Sequence, residues 1–308
     1  MNIAYIEPFG RAWARMKTAL FKPFNLTKWF IVGFTAFLAG LMDGYNGGSG
    51  SYRSHGHEGL KFHEFLDFPK KAWEWMQSHP AWIITVAFIA LFVIALLLLL
   101  LLLSSRGKFM FLDNVVHNKA EIANPWKEYR EEGHSLFLWR LGFGVVCFVI
   151  FIAFSVLFFT TATQIYSEGF DMRTHLPLLI AAALIILLII LAISYISLFL
   201  SSFVVPIMYK YRLSATDAWG RFLPIMKQNL LHFFLYGLFV FIVTIAVVIG
   251  FVFAGIFTCC VGIVLLALPY IGTVVTLPAW YTFRAFSLEF FAQFGEEFSV
   301  FPPPVPSE

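Results

Sequence analysis

Apolar positions in this chain fall in long unbroken runs, not in the spaced stripes of a water-soluble helix or strand. Four runs, 81–103, 136–161, 176–205 and 230–253, reach the roughly 20 residues that a helix needs to cross a hydrocarbon core about 30 Å thick. A fifth, 259–280, carries Pro269 and Pro278, which predict a kinked or broken crossing. The shortest is 28–42, with Thr27 as the expected N-cap and Asp43-Gly44 as the stop. The pattern predicts an all-α integral membrane protein. Its six transmembrane helices form three hairpins, joined by amphipathic cytoplasmic surface helices.

Three short stretches predict those surface helices. Phe9, Trp13, Met16 and Leu20 share one face of a helix whose other face carries Arg11, Arg15, Thr18 and Lys22, an arrangement suited to an acyl boundary beneath anionic headgroups. Before the third crossing, Asn124 and Pro125 open a turn through Trp126 to Glu132, which Gly133 ends. Before the fifth, Ser214 and Asp217 resemble a capping box, and Trp219, Phe222 and Met226 share a face.

Composition agrees with the bilayer as solvent. Hydrophobic residues make up 60% of 308 and charged residues 13%, with a mean hydropathy of +0.80, against about 45–50% and about 25% in soluble domains. The net charge of +3 does not suggest nucleic acid. With six crossings, 16 of the 21 Lys and Arg residues fall on the side of the two termini. The positive-inside rule makes that side cytoplasmic. The first apolar run lacks the cleavage site of a secretory signal and is expected to remain as a span.

A single membrane domain is therefore expected over 1–308, with pseudo-repeats at 1–103, 104–205 and 206–298 and a Pro-rich tail at 299–308. Ser104-Ser105 and Ser201-Ser202 recur at comparable places before Trp126 and Trp219. Ala218-Trp219 with Lys227 and Asn229, echoed by Ala12-Trp13 with Lys17, resembles a motif of one bacterial group. That group is the multi-span membrane domain associated with glycerophosphodiester phosphodiesterases, and its stand-alone relatives. The resemblance implies a membrane module in a bacterial inner (cytoplasmic) membrane. The catalytic barrel of those phosphodiesterases has no counterpart here.

Candidate chemistry is sparse. His55, His57 and His63 with Glu58 and Glu64 have donor types that suit zinc or copper, but their glycine-rich loop lacks a helical His-x-x-x-His pair, and a solvated loop explains them better. Trp73, Trp75 and Trp82 form an interfacial belt. No Asp, Glu, Lys or Arg falls near the middle of a predicted crossing, which argues against proton-coupled transport. In the sixth crossing, Pro269, Gly272 and Thr273 either line a pathway or permit close packing. The adjacent Cys259-Cys260 is assigned no role. In 281–298, Phe283, Phe286, Phe290, Phe294 and Phe298 repeat at helical spacing, offering a stripe to lipid or to a partner groove. With Trp13, Trp126 and Trp219, Phe286 and Phe290 are the expected lipid or partner contacts.

No phosphate-cradling loop, nucleophile elbow or His-Glu helix motif is present in the sequence, and no cofactor is implied. The expectation is a non-enzymatic scaffold or accessory subunit in the bilayer, associating with itself or with another membrane protein. The alternative is a transporter or pore for a small or lipid-like solute, using the Pro-broken sixth crossing.

Overall fold

The computed structural model describes residues 3–43, 70–71, 73–75, 77–168, 172–258 and 261–302. Among them the fold is all helical, with no strand. Four helices are long and apolar enough to cross a membrane. They are α3 (Pro80–His117), α5 (Arg130–Glu168), α6 (Met172–Phe199) and α9 (Leu230–Phe257). Among the described residues there are also α1 (Ile6–Phe21), α2 (Leu26–Gly40), α4 (Ala123–Glu128), α7 (Val205–Tyr211), α8 (Ala215–Gln228), α10 (Val261–Ala267), α11 (Pro269–Val275) and α12 (Leu277–Phe291), with short 3-10 turns at Ala292–Phe294 and Glu296–Phe298. A π-turn, Leu200–Val204, joins α6 to α7.

The helices end where local chemistry dictates. Pro269 follows the extended Leu268, and Pro278 follows the break at Thr276, because a proline ring cannot continue the preceding helical turn. The sixth predicted crossing is thus three short helices. Ser214 caps α8 by accepting from the Asp217 amide at 3.2 Å. For α2 the cap is Asn25, which accepts from the Lys28 amide at 3.2 Å, and not the expected Thr27. Gly133 does not end a turn; it lies inside α5, which begins just after the break at Tyr129.

The chain divides into two compact units, 50–99 with 140–193 and the remainder. In the first, the apolar run of α3, most of α5 and most of α6 turn large side chains outward, including Phe88, Phe92, Phe148 and Leu188. This is the behaviour of helices solvated by lipid or by other helices, and not by water.

The second unit holds the core, built from phenylalanine. Phe203 in the π-turn packs against Phe222 of α8 at 5.3 Å, Phe233 of α9 at 5.1 Å and Phe291 of α12 at 5.2 Å between ring centroids. Tyr236 adds a ring 4.6 Å from Phe290 and stacks on Phe286 at 5.3 Å. Edge-to-face and offset pairs of this kind add about 0.5–1.5 kcal/mol each beyond the area they bury.

Two expectations are corrected here. The Phe286–Phe290 stripe does not face lipid or a foreign partner. Both side chains are fully buried, because the partner of α12 is α1 of the same chain. Phe9 meets Phe286 edge-on at 5.6 Å, and Glu289 accepts from Arg11 Nε at 2.8 Å and Arg15 Nε at 2.6 Å. Cations expected to meet headgroups are therefore engaged by a buried carboxylate, while Trp13 stays 43% exposed at the edge of the contact.

The second correction concerns the first hairpin. Its topology puts Asp43 and Lys108 on opposite sides of a bilayer, yet they form an ion pair. The reason is that α2 packs along the polar end of α3. Ser104 donates to the Ala39 carbonyl at 3.1 Å, and Lys28 donates to Asn118 at 2.7 Å. Gly107 permits the approach: a Cβ there would lie 2.7 Å from the backbone at Leu38 and Ala39.

Candidate functional site

Beyond its apolar run, α3 carries polar residues that a lipid-facing helix would not tolerate, and the second unit encloses them. Lys108 is 2% exposed. Its ammonium pairs with Asp43 and donates to Ser201 Oγ at 2.6 Å, while Arg284 of α12 donates to the Ser201 carbonyl at 2.6 Å. The Arg284 guanidinium is itself buried and feels the Asp43 carboxylate. Two cations thus converge on one anion in a low-dielectric setting, where an unpaired charge is strongly disfavoured.

One turn and more along α3, Asp113 and His117 share a face at i, i+4. Tyr209 of α7 donates to Asp113 Oδ1 at 2.7 Å, and His117 Nδ1 lies 3.0 Å from the same oxygen. Asn118 takes a left-handed φ of 54°, ending α3. The Asn114 side chain then holds the reversal from both sides, donating to the Glu121 carbonyl at 3.0 Å and accepting from the Glu121 amide at 2.9 Å. This corner forms a polar cleft of about 630 Å³, whose wall includes Asp113, His117, Glu121, Lys127 and Tyr129.

Tyr129 is its innermost aromatic, stacked on Tyr209 at 4.8 Å and covered by the Arg212 guanidinium at 4.1 Å. Burial pushes its phenol up to about 12, so it serves as a neutral hydroxyl. Arg212 also pairs with Glu128 and Glu132, tying α7 to α4 and α5. The arrangement can hold a small polar group by hydrogen bonds from both signs of charge. Among the described residues no group of three or more His, Cys, Asp or Glu has metal-binding geometry.

The residues singled out from sequence are not gathered into one site. Trp126 is half-buried beside Arg106. Trp219 stacks on Trp139 at 5.5 Å, with its indole nitrogen buried and unpartnered. Thr273 is buried and donates to the Pro269 carbonyl at 3.0 Å. At Gly272 a Cβ would lie 2.5 Å from the Leu266 carbonyl oxygen, so this glycine serves close packing. His55, His57, His63, Cys259, Cys260 and the tail from 303 onward lie outside the described residues. The Asp43–Lys108–Arg284 and Asp113–His117–Tyr209 groups escaped the sequence reading. Their one visible signal was ionisable residues at helical spacing immediately after an apolar run.

A family described as a family of unknown function (DUF7544) matches residues 4–296, and the chain belongs to that family. No curated protein and no solved structure matches it.

Proposed function

We propose that this DUF7544 member is a non-enzymatic polytopic membrane protein, a scaffold or accessory subunit that associates with its own copies or with another membrane protein. The observation that carries this is the contrast between its two units. The most apolar stretches of α3, α5 and α6 are 0% buried, leaving long helix faces for lipid and partner helices. The interior of the other unit is filled by its own phenylalanines. Packing of α1 on α12 supports both termini on one face, and the basic-residue split supports a cytoplasmic face of a bacterial inner membrane. Five crossings come from the four long helices and the broken α10–α12 segment. With termini on one face, a sixth crossing precedes α3. The Asp43–Lys108 pair lies past the end of the α3 apolar run, where pairing is what makes two buried charges tolerable. The membrane domain of the phosphodiesterase group remains the proposed kin.

Transport is the second reading, and the buried Asp43–Lys108–Arg284 network is what favours it, since ionisable groups within membrane proteins commonly mark ion or solute paths. Cross-linking in native membranes, followed by purification, separates the two. A partner recovered at fixed stoichiometry, unaffected by Lys108→Met, supports the scaffold. Solute flux in liposomes from the isolated protein, abolished by Lys108→Met, overturns it.

A further inference from the structure

A second cleft, of about 340 Å³, lies beside α4 and is lined by Arg106, Trp126, Lys127 and Arg130. Arg106 sits three residues past Leu103, where the apolar run of α3 ends. Its guanidinium carbon lies 4.8 Å above the Trp126 ring. Gly133, one turn along α5, makes room for it, since a Cβ there would come within 2.8 Å of Arg106 Cγ. Arg106 Nε is buried without a hydrogen-bond partner. Among the described residues, Arg106, Lys127 and Arg130 form no ion pair, and the neighbouring Glu128 and Glu132 are taken by Arg212.

Three cations without a carboxylate, one of them with a buried donor unspent, define a site for an anion. We propose that this cleft binds the phosphate of an anionic phospholipid headgroup. The inference rests on reading the α3 run as a membrane span. Arginine donors suit phosphate oxygens in forked pairs. Indoles settle at headgroup depth, and basic pockets beside the cytoplasmic ends of spans recognise anionic lipids. The position of Arg106 at the end of the run selects lipid over free phosphate.

The test is native mass spectrometry of the full chain, delipidated in detergent and titrated with phosphatidylglycerol, phosphatidylcholine or inorganic phosphate. Phosphatidylglycerol should bind in preference to phosphatidylcholine. Arg106→Gln and Lys127→Gln should each weaken it about fivefold, as loss of one basic contact implies. Arg221→Gln, which alters a cation on α8 stacked over Tyr211, should not. Lys127 is exposed, so its variant keeps the test valid if Arg106→Gln misfolds. Equal binding of the two lipids, or insensitivity to Lys127→Gln, overturns the site. Binding of inorganic phosphate with displacement of the lipid overturns the choice of a lipid source. Failure of the scaffold reading leaves this result untouched, because no partner enters the assay.

Discussion

Neutralising Asp43 should cost more than removing Lys108, although the two form one ion pair. In Asp43→Asn, the Lys108 ammonium at 2% exposure keeps Ser201 Oγ at 2.6 Å but loses its carboxylate, as does the nearby Arg284 guanidinium. Stranding a buried charge in this way costs about 3–5 kcal/mol. In Lys108→Met, the carboxylate left behind keeps 26% of its surface exposed and still feels Arg284. Water and the second cation offset much of the loss, leaving about 1–2 kcal/mol, the range of a hydrogen bond to a charged group. The double variant should cost less than the sum of the single ones, since the interaction is removed only once. Equilibrium unfolding in mixed detergent micelles, followed by tryptophan fluorescence, measures all three. Equal losses for the single variants, or strict additivity in the double, would refute the converging-charge account. A disulfide formed when Asp43→Cys and Lys108→Cys are combined would independently establish that these positions meet.

Four further predictions concern packing, charge pairing and protonation. Gly107→Ala drives a methyl group to 2.7 Å from backbone atoms of α2 and should destabilise by about 1–3 kcal/mol. Gly142→Ala meets nothing within 4 Å and should be neutral or stabilising in the same unfolding assay. Glu289→Gln removes the charge that holds Arg11 and Arg15. Both cations are nearly half exposed, so solvent screening limits the cost to about 1 kcal/mol; limited proteolysis should show faster cleavage within α1. Tyr129 ionises near 12 when folded, against about 10 in the unfolded chain. Its contribution to stability is therefore whole below about pH 10 and is lost as pH rises toward 12. The absorbance titration of wild type minus Tyr129→Phe should show that late phase; a difference centred near 10 would contradict the burial.

Hydropathy revealed the elements but not their partners. The runs that became α3, α5, α6 and α9 were legible because nothing but a membrane accommodates such lengths of apolar helix. The breaks at Pro269 and Pro278 were legible because proline acts on its own backbone. The Phe286–Phe290 stripe was visible as a face, but spacing carries no information on what covers a face, and α1 lies some 270 residues away in sequence. The same holds for charge. Arg11 and Arg15 read as headgroup ligands until Glu289 is placed beside them. Lys108 and Asp43 read as opposite sides of a bilayer until α2 is seen along the polar end of α3. Asp113 and His117 announced themselves by i, i+4 spacing, but their meaning depends on Tyr209, which only folding delivers.

The central claim, that this is a membrane scaffold whose outward helices seat partners, is tested most directly by native mass spectrometry of the protein gently extracted from its own membrane. The account predicts the 35.1 kDa chain in a defined assembly, with its own copies or a foreign subunit at fixed stoichiometry. A monomer carrying one small molecule, with no protein partner at any extraction strength, would contradict it.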